Sequence, residues 1–77
     1  MQTVDQIKGQ LCRRQGSRVR LRAYRSRRRA LEHDGVLERC FESVFTVLIE
    51  QGGRRERVSY TYQDVYTRRL ELSWVED

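Results

Sequence analysis

Proline is absent from this sequence of 77 residues, and lysine, histidine and tryptophan occur once each. With no proline and only 5 glycines, no linker composition divides the chain, so residues 1–77 read as one domain. Only two cysteines are present, Cys12 and Cys40, 28 positions apart and without a CxxC spacing. That excludes a disulfide framework and a zinc ribbon, and makes a reducing cytoplasm the expected setting. No apolar run approaches the roughly 18 residues of a membrane span, and Met1 to Asp5 is polar and acidic, so neither a span nor a crossing segment is expected. A chain this short buries only about 60% of its unfolded surface, which leaves a thin core and no room for a large enclosed pocket.

The scarcity extends to catalytic groups. The only histidine, His33, stands between Glu32 and Asp34 beside an expected turn, where it reads as a solvent-exposed side chain rather than the base of a nucleophile. A metal would have to recruit Cys12, His33 and Cys40 from three separate elements, without the local ligand pair that structural zinc sites have. Packing accounts for both cysteines. Gly52-Gly53 lacks the following lysine of a phosphate loop, and the carboxylates are scattered singly. No catalytic, metal or cofactor residues are therefore assigned, and a non-enzymatic protein is expected.

What the sequence does have is arginine. Fifteen of the 16 basic residues are arginine, and nine of them fall between residues 13 and 29, where there is no acid; the rest of the chain holds seven bases against all 11 acids. Arginine suits bidentate phosphate contacts, and it is also the choice of some genomes and of hot habitats.

Periodicity places this charge. Thr3 and Gln6 form a capping-box pattern ahead of Val4, Ile7 and Leu11 at helical spacing, which predicts a short amphipathic helix over 3–12 with Gly16 beyond it. From Arg18 the period becomes two: Val19, Leu21 and Ala23 alternate with Arg18, Arg20, Arg22 and Tyr24, a strand with one dry and one cationic face. Residues 27–33 and 36–41 read as strand pieces bent around Asp34-Gly35. Ser43 to Glu50, apolar on nearly both faces, is expected to be the central strand. Gln51-Gly52-Gly53 turns the chain, Val58, Tyr60 and Tyr62 share one side of the next strand, and 62–65 reads as a single helical turn. Leu70, Leu72 and Trp74 face one way in a last strand. Five or so short strands with one N-terminal helix predict a small, strongly bent antiparallel sheet or barrel.

On that framework Arg18, Arg20 and Arg22, followed by Arg25, Arg27, Arg28 and Arg29 in the connection after them, form a candidate basic strip with Tyr24 interleaved as a stacking ring. The competing reading pairs these arginines with Glu32, Glu38 and Glu42 on neighbouring strands. Tyr60 and Tyr62, in line with Val58, read as core. Trp74 reads as either a core closer or an interface anchor.

Glu56-Arg57-Val58-Ser59-Tyr60-Thr61-Tyr62, then Asp64-Val65 and Leu70-Glu71-Leu72, resemble the Veg family of small bacterial proteins. Ser43-Val44-Phe45, Glu32 through Leu37 with Gly35, Arg27-Arg28, Gly16 and Ile7-Lys8 fit the same pattern in order, so the resemblance covers nearly the whole chain. It implies an SH3-like β-barrel with an N-terminal helix. It also implies a non-enzymatic cytoplasmic regulator that stimulates biofilm formation by opposing a transcriptional repressor of matrix genes. The sequence departs from the pattern at Tyr24-Arg25-Ser26, where a glycine-rich turn is usual, and at Glu42, often a proline.

Two functions follow as expectations: a regulatory module that binds a transcriptional repressor protein, or a small barrel that binds DNA or RNA through its arginines. The first depends weakly on salt, the second steeply. An enzyme would require a deep pocket around His33. The sequence leaves the oligomeric state open, a homodimer included.

Overall fold

In a computed structural model residues 2–26 and 28–75 are described. Helix α1 (Val4–Cys12) starts at an N-cap made as the sequence predicts, with the Thr3 hydroxyl accepting from the Gln6 amide and the Gln6 side chain accepting from the Thr3 amide. These contacts satisfy two of the amides left orphaned at a helix start. Ile7 and Leu11, one turn apart, are buried. Gly16 then takes a φ of 91°, the left-handed conformation that glycine adopts without steric cost, and the chain enters the sheet.

The sheet consists of β1 (Arg18–Ser26), β2 (Arg29–Cys40), β3 (Val44–Gln51), β4 (Arg54–Thr61) and β5 (Leu70–Trp74), all pairs antiparallel, in the order β4-β3-β2-β1-β5. The first four strands form a meander. Helix α2 (Tyr62–Tyr66), capped by Thr61 and Asp64, then carries the chain back so that β5 pairs with β1, giving a mainly β, barrel-like domain with SH3-like strand order. The β3–β4 turn puts Gly52 and Gly53 at φ 59° and 78°, the paired positive values of a type I′ hairpin.

Alternating side chains of the strands meet those of the helices in one core: Ile7, Leu11, Val19, Leu21, Leu37, Phe45, Val47, Ile49, Tyr62 and Leu70. Phe45 stacks at 6.0 Å on Tyr60 and at 5.4 Å on Tyr62, so these tyrosines pack as their alternation with Val58 predicts. None of the described helices is long and apolar enough to cross a membrane.

Three expectations are corrected. The central strand is β2, since β3 lies second from an edge; on the outer face of β3, Thr46 is nonetheless buried, its hydroxyl donating to Glu38. Asp34-Gly35 makes no turn, because β2 runs through it without a break. Glycine is needed at 35 for a different reason: a Cβ there would overlap the Leu48 carbonyl oxygen of β3 and stand 3.0 Å from a Val47 methyl. His33 accordingly lies within β2, half-buried and opposite Leu21, rather than exposed in a turn.

Candidate functional site

Strand β1 presents its arginines as the alternation requires, with Arg18, Arg20 and Arg22 exposed and Val19 and Leu21 buried. What alternation leaves open is the neighbour. In the β1–β2 register Arg20 faces Asp34 and Arg22 faces Glu32. Both pairs close, Arg20 Nε to Asp34 Oδ1 at 3.0 Å and Arg22 Nη2 to Glu32 Oε1 at 2.9 Å. The Asp34 hydrogen bond, then its charge, raises the Arg20 pKa above its ordinary value. Tyr24 is half-buried, its hydroxyl 3.5 Å from Arg22 Nη1. The middle of the expected basic strip is thus compensated pair by pair. Of the other acids considered as partners, Glu38 bonds Arg57 of β4 instead, and Glu42 offers its carbonyl to Lys8.

The cationic character persists beyond that ladder. Arg25 belongs to β1 and Arg29 opens β2, so the expected five-residue connection shortens to a tight hairpin with Ser26 opposite Arg29. Arg27 lies outside the described residues. Arg25, Arg28 and Arg29 are exposed, and among the described residues none of them is paired with a carboxylate. Topology adds two arginines that are distant in sequence. The β1–β5 pairing ends at Ala23 opposite Leu70, and one step further the Tyr24 amide donates to the Arg69 carbonyl at 2.8 Å. Exposed Arg68 and Arg69 therefore flank the hairpin on its β5 side.

A second surface lies along β5, which has β1 on one side only. A groove of about 450 Å³ runs beside it, floored by Ile7 and Leu11 of α1 and Val65 of α2, and lined by all five residues of β5. Five consecutive strand residues line it because the backbone edge itself faces the groove. The Tyr24–Arg69 bond and the bond from the Val75 amide to the Arg18 carbonyl fix the phase of the antiparallel ladder. Residues 71 and 73 bond to β1, and the amides and carbonyls of Leu72 and Trp74 point away from it. Trp74, half-buried, carries the Arg14 guanidinium 4.9 Å from its ring centre, a cation–π contact.

Behind the sheet, Cys12 and Cys40 converge on Tyr62, with Cys12 Sγ 3.9 Å from the Tyr62 hydroxyl. Burial, followed by the neighbouring Cys12 thiol, pushes Cys40 up to about 11. At neutral pH such a thiol stays protonated and is a poor nucleophile. Among the described residues no three His, Cys, Asp or Glu side chains gather in a metal-binding group.

The fold is a small, mainly β, SH3-like sheet that carries an open strand edge, an apolar groove and an arginine-rich end. The chain belongs to the Veg family: the family model described as "Biofilm formation stimulator VEG" matches residues 2–73. A search of curated proteins gives no match.

Proposed function

We propose that this member of the biofilm-stimulating Veg family acts as a non-enzymatic regulatory module that opposes a transcriptional repressor of matrix genes by binding it directly. The observation that carries this reading is the open edge of β5 beside the α1–α2 groove. An extended segment of the partner adds there as a sixth strand. Main-chain hydrogen bonds to Leu72 and Trp74 supply affinity, and the apolar groove selects alternate side chains.

The test is titration of the chain with the purified matrix-gene repressor of the same cell. Binding is expected to slow hydrogen exchange at the Leu72 and Trp74 amides, to shift the emission of the single tryptophan, and to change little between low and high salt. Binding that leaves those two amides unprotected would overturn the edge as the contact.

A second reading, nucleic-acid binding by the small barrel, is favoured by one observation: among the described residues Arg25, Arg28 and Arg29 at the hairpin end lack carboxylate partners, although Arg20 and Arg22 on the β1 face have them.

A further inference from the structure

Five exposed arginines without a carboxylate partner among the described residues, Arg25, Arg28, Arg29, Arg68 and Arg69, come from two segments separated by most of the sheet's sequence, yet strand pairing brings them to one end of the sheet. β1 lies between β2 and β5, so Arg25 at its end has Arg29 on one side, across the Ser26–Arg29 pair, and the Arg68–Arg69 turn on the other, across the Tyr24–Arg69 bond. Neighbouring strands are about 4.8 Å apart, well within the reach of an arginine side chain. The carboxylates nearest in register, Glu32 and Glu71, both stand opposite Arg22, below the end itself. Arg28, Arg29, Arg25, Arg68 and Arg69 thus form one field of positive charge, and each can offer a planar fork of donors to a phosphate.

Arg68 adds an independent observation. It is the one non-glycine residue among those described with a positive φ, 62°, a conformation that costs an arginine energy and a glycine none. Glycine would make the turn more cheaply, so the side chain is what an arginine contributes there.

We infer that this composite end is a binding surface for the phosphate backbone of nucleic acid, shared between the β1–β2 hairpin and the α2–β5 turn. The inference rests on the nucleic-acid reading above and deepens it, because it moves the contact off the β1 face and adds Arg68 and Arg69. A contact made to phosphates alone carries no sequence information, so the binding inferred here is sequence-independent. Exposed Tyr66, two residues before Arg68, supplies a ring on which an unpaired base can stack.

The experiment is fluorescence anisotropy with a labelled 20-base-pair duplex and the corresponding single strand across a salt series. Five phosphate contacts give a slope of log affinity against log salt of about −4.5 for duplex and about −3.5 for single strand. Between 50 and 200 mM salt the former is a loss of roughly 500-fold. Arg68→Gln with Arg69→Gln, and separately Arg25→Gln with Arg28→Gln, are each expected to flatten the duplex slope by about two, whereas Arg20→Gln with Arg22→Gln changes it by less than about one. Arg68→Gly is expected to raise the melting temperature by relaxing the backbone while still weakening binding, which separates a binding role from a structural one.

Absence of binding to either nucleic acid at low salt overturns the nucleic-acid reading as a whole. Binding whose slope is unmoved by the Arg68 and Arg69 changes overturns the composite site while that reading survives. Binding to anionic phosphatidylglycerol vesicles, with none to nucleic acid under the same salt, overturns it in favour of a membrane surface.

Discussion

The Tyr62 hydroxyl donates a 2.6 Å hydrogen bond to the Phe41 carbonyl, joining the first residue of α2 to the β2–β3 connection. Tyr62 is only 2% exposed, so water cannot replace this donor. Tyr62→Phe keeps the ring stacked on Phe45 and leaves the carbonyl without its partner, a loss of about 1–3 kcal/mol. For a domain of this size each kcal/mol lowers the melting temperature by about 4–8 °C. A thermal melt checks this, and an unchanged midpoint would show that the bond does not hold the corner.

Two glycines give opposite outcomes for the same substitution. At Gly35 an added methyl meets the Leu48 carbonyl of the paired strand, backbone that cannot rotate aside, and Gly35→Ala is expected to destabilise by about 1–3 kcal/mol. Gly9 lies inside α1 with nothing within 4 Å of an added Cβ, so Gly9→Ala is expected to stabilise by about 0.5–1 kcal/mol through helix propensity and a less flexible unfolded chain. Urea unfolding of both variants tests the pair. Equal effects of one sign would contradict the close approach of β2 to β3.

Cys40 makes the fold sensitive to alkali. Burial, and then the Cys12 thiol, lift its pKa from 9.0 to about 11. Below the lower value both folded and unfolded chains hold the proton and the stability from this group is fully present. As pH rises from 9 to about 11 the unfolded thiol ionises first, so stability falls across that window. Tyr62, also raised by burial, prolongs the decline above it. Cys40→Ser is expected to flatten the stability profile between those values, measured by chemical denaturation at successive pH, and the wild-type thiol is expected to alkylate slowly at neutral pH.

The helix, the first strand and the helical turn before β5 are legible from local signals: the Thr3–Gln6 box, the alternation of arginine with Val19 and Leu21, and the apolar spacing around Tyr62. Each is set by residues within a few positions of one another. That the strand arginines could meet carboxylates such as Glu32 is legible as a competing reading, but which arginine meets which acid is not, because alternation fixes which face a side chain takes and the register of the opposite strand decides what it meets. The same limit hid the contribution of Arg68 and Arg69, which join the hairpin end only because β5 closes back on β1. An arginine pair directly before an alternating Leu70-Glu71-Leu72 strand is the signal that points to them once that closure is known. Gly35 read as a turn because Asp-Gly commonly makes one; the demand at that position comes from β3.

Glu38 is the extra residue of a bulge in β2, for the register passes from Leu37–Val47 to Arg39–Thr46 and leaves it without a partner. The bulge aims its carboxylate across β3, where it accepts from Arg57 Nε at 2.6 Å and Nη2 at 2.9 Å and from the Thr46 hydroxyl at 3.1 Å. Three strands are linked through one side chain, which holds the sheet in its curl. The Arg57 hydrogen bond is the largest cause that lowers the Glu38 pKa, with Thr46 adding to it and burial opposing it. A lowered folded pKa means that this contribution to stability is present above the ordinary glutamate value and is lost as pH falls through the depressed one. Carboxyl-carbon NMR titration is expected to give Glu38 a midpoint below that of an ordinary glutamate. Arg57→Met moves it upward by removing the fork and leaving the burial, and Thr46→Val moves it upward by less. A Glu38 midpoint that Arg57→Met leaves in place would mean that the β2–β4 link across the bulge does not form in solution, and that the curl is held by core packing alone.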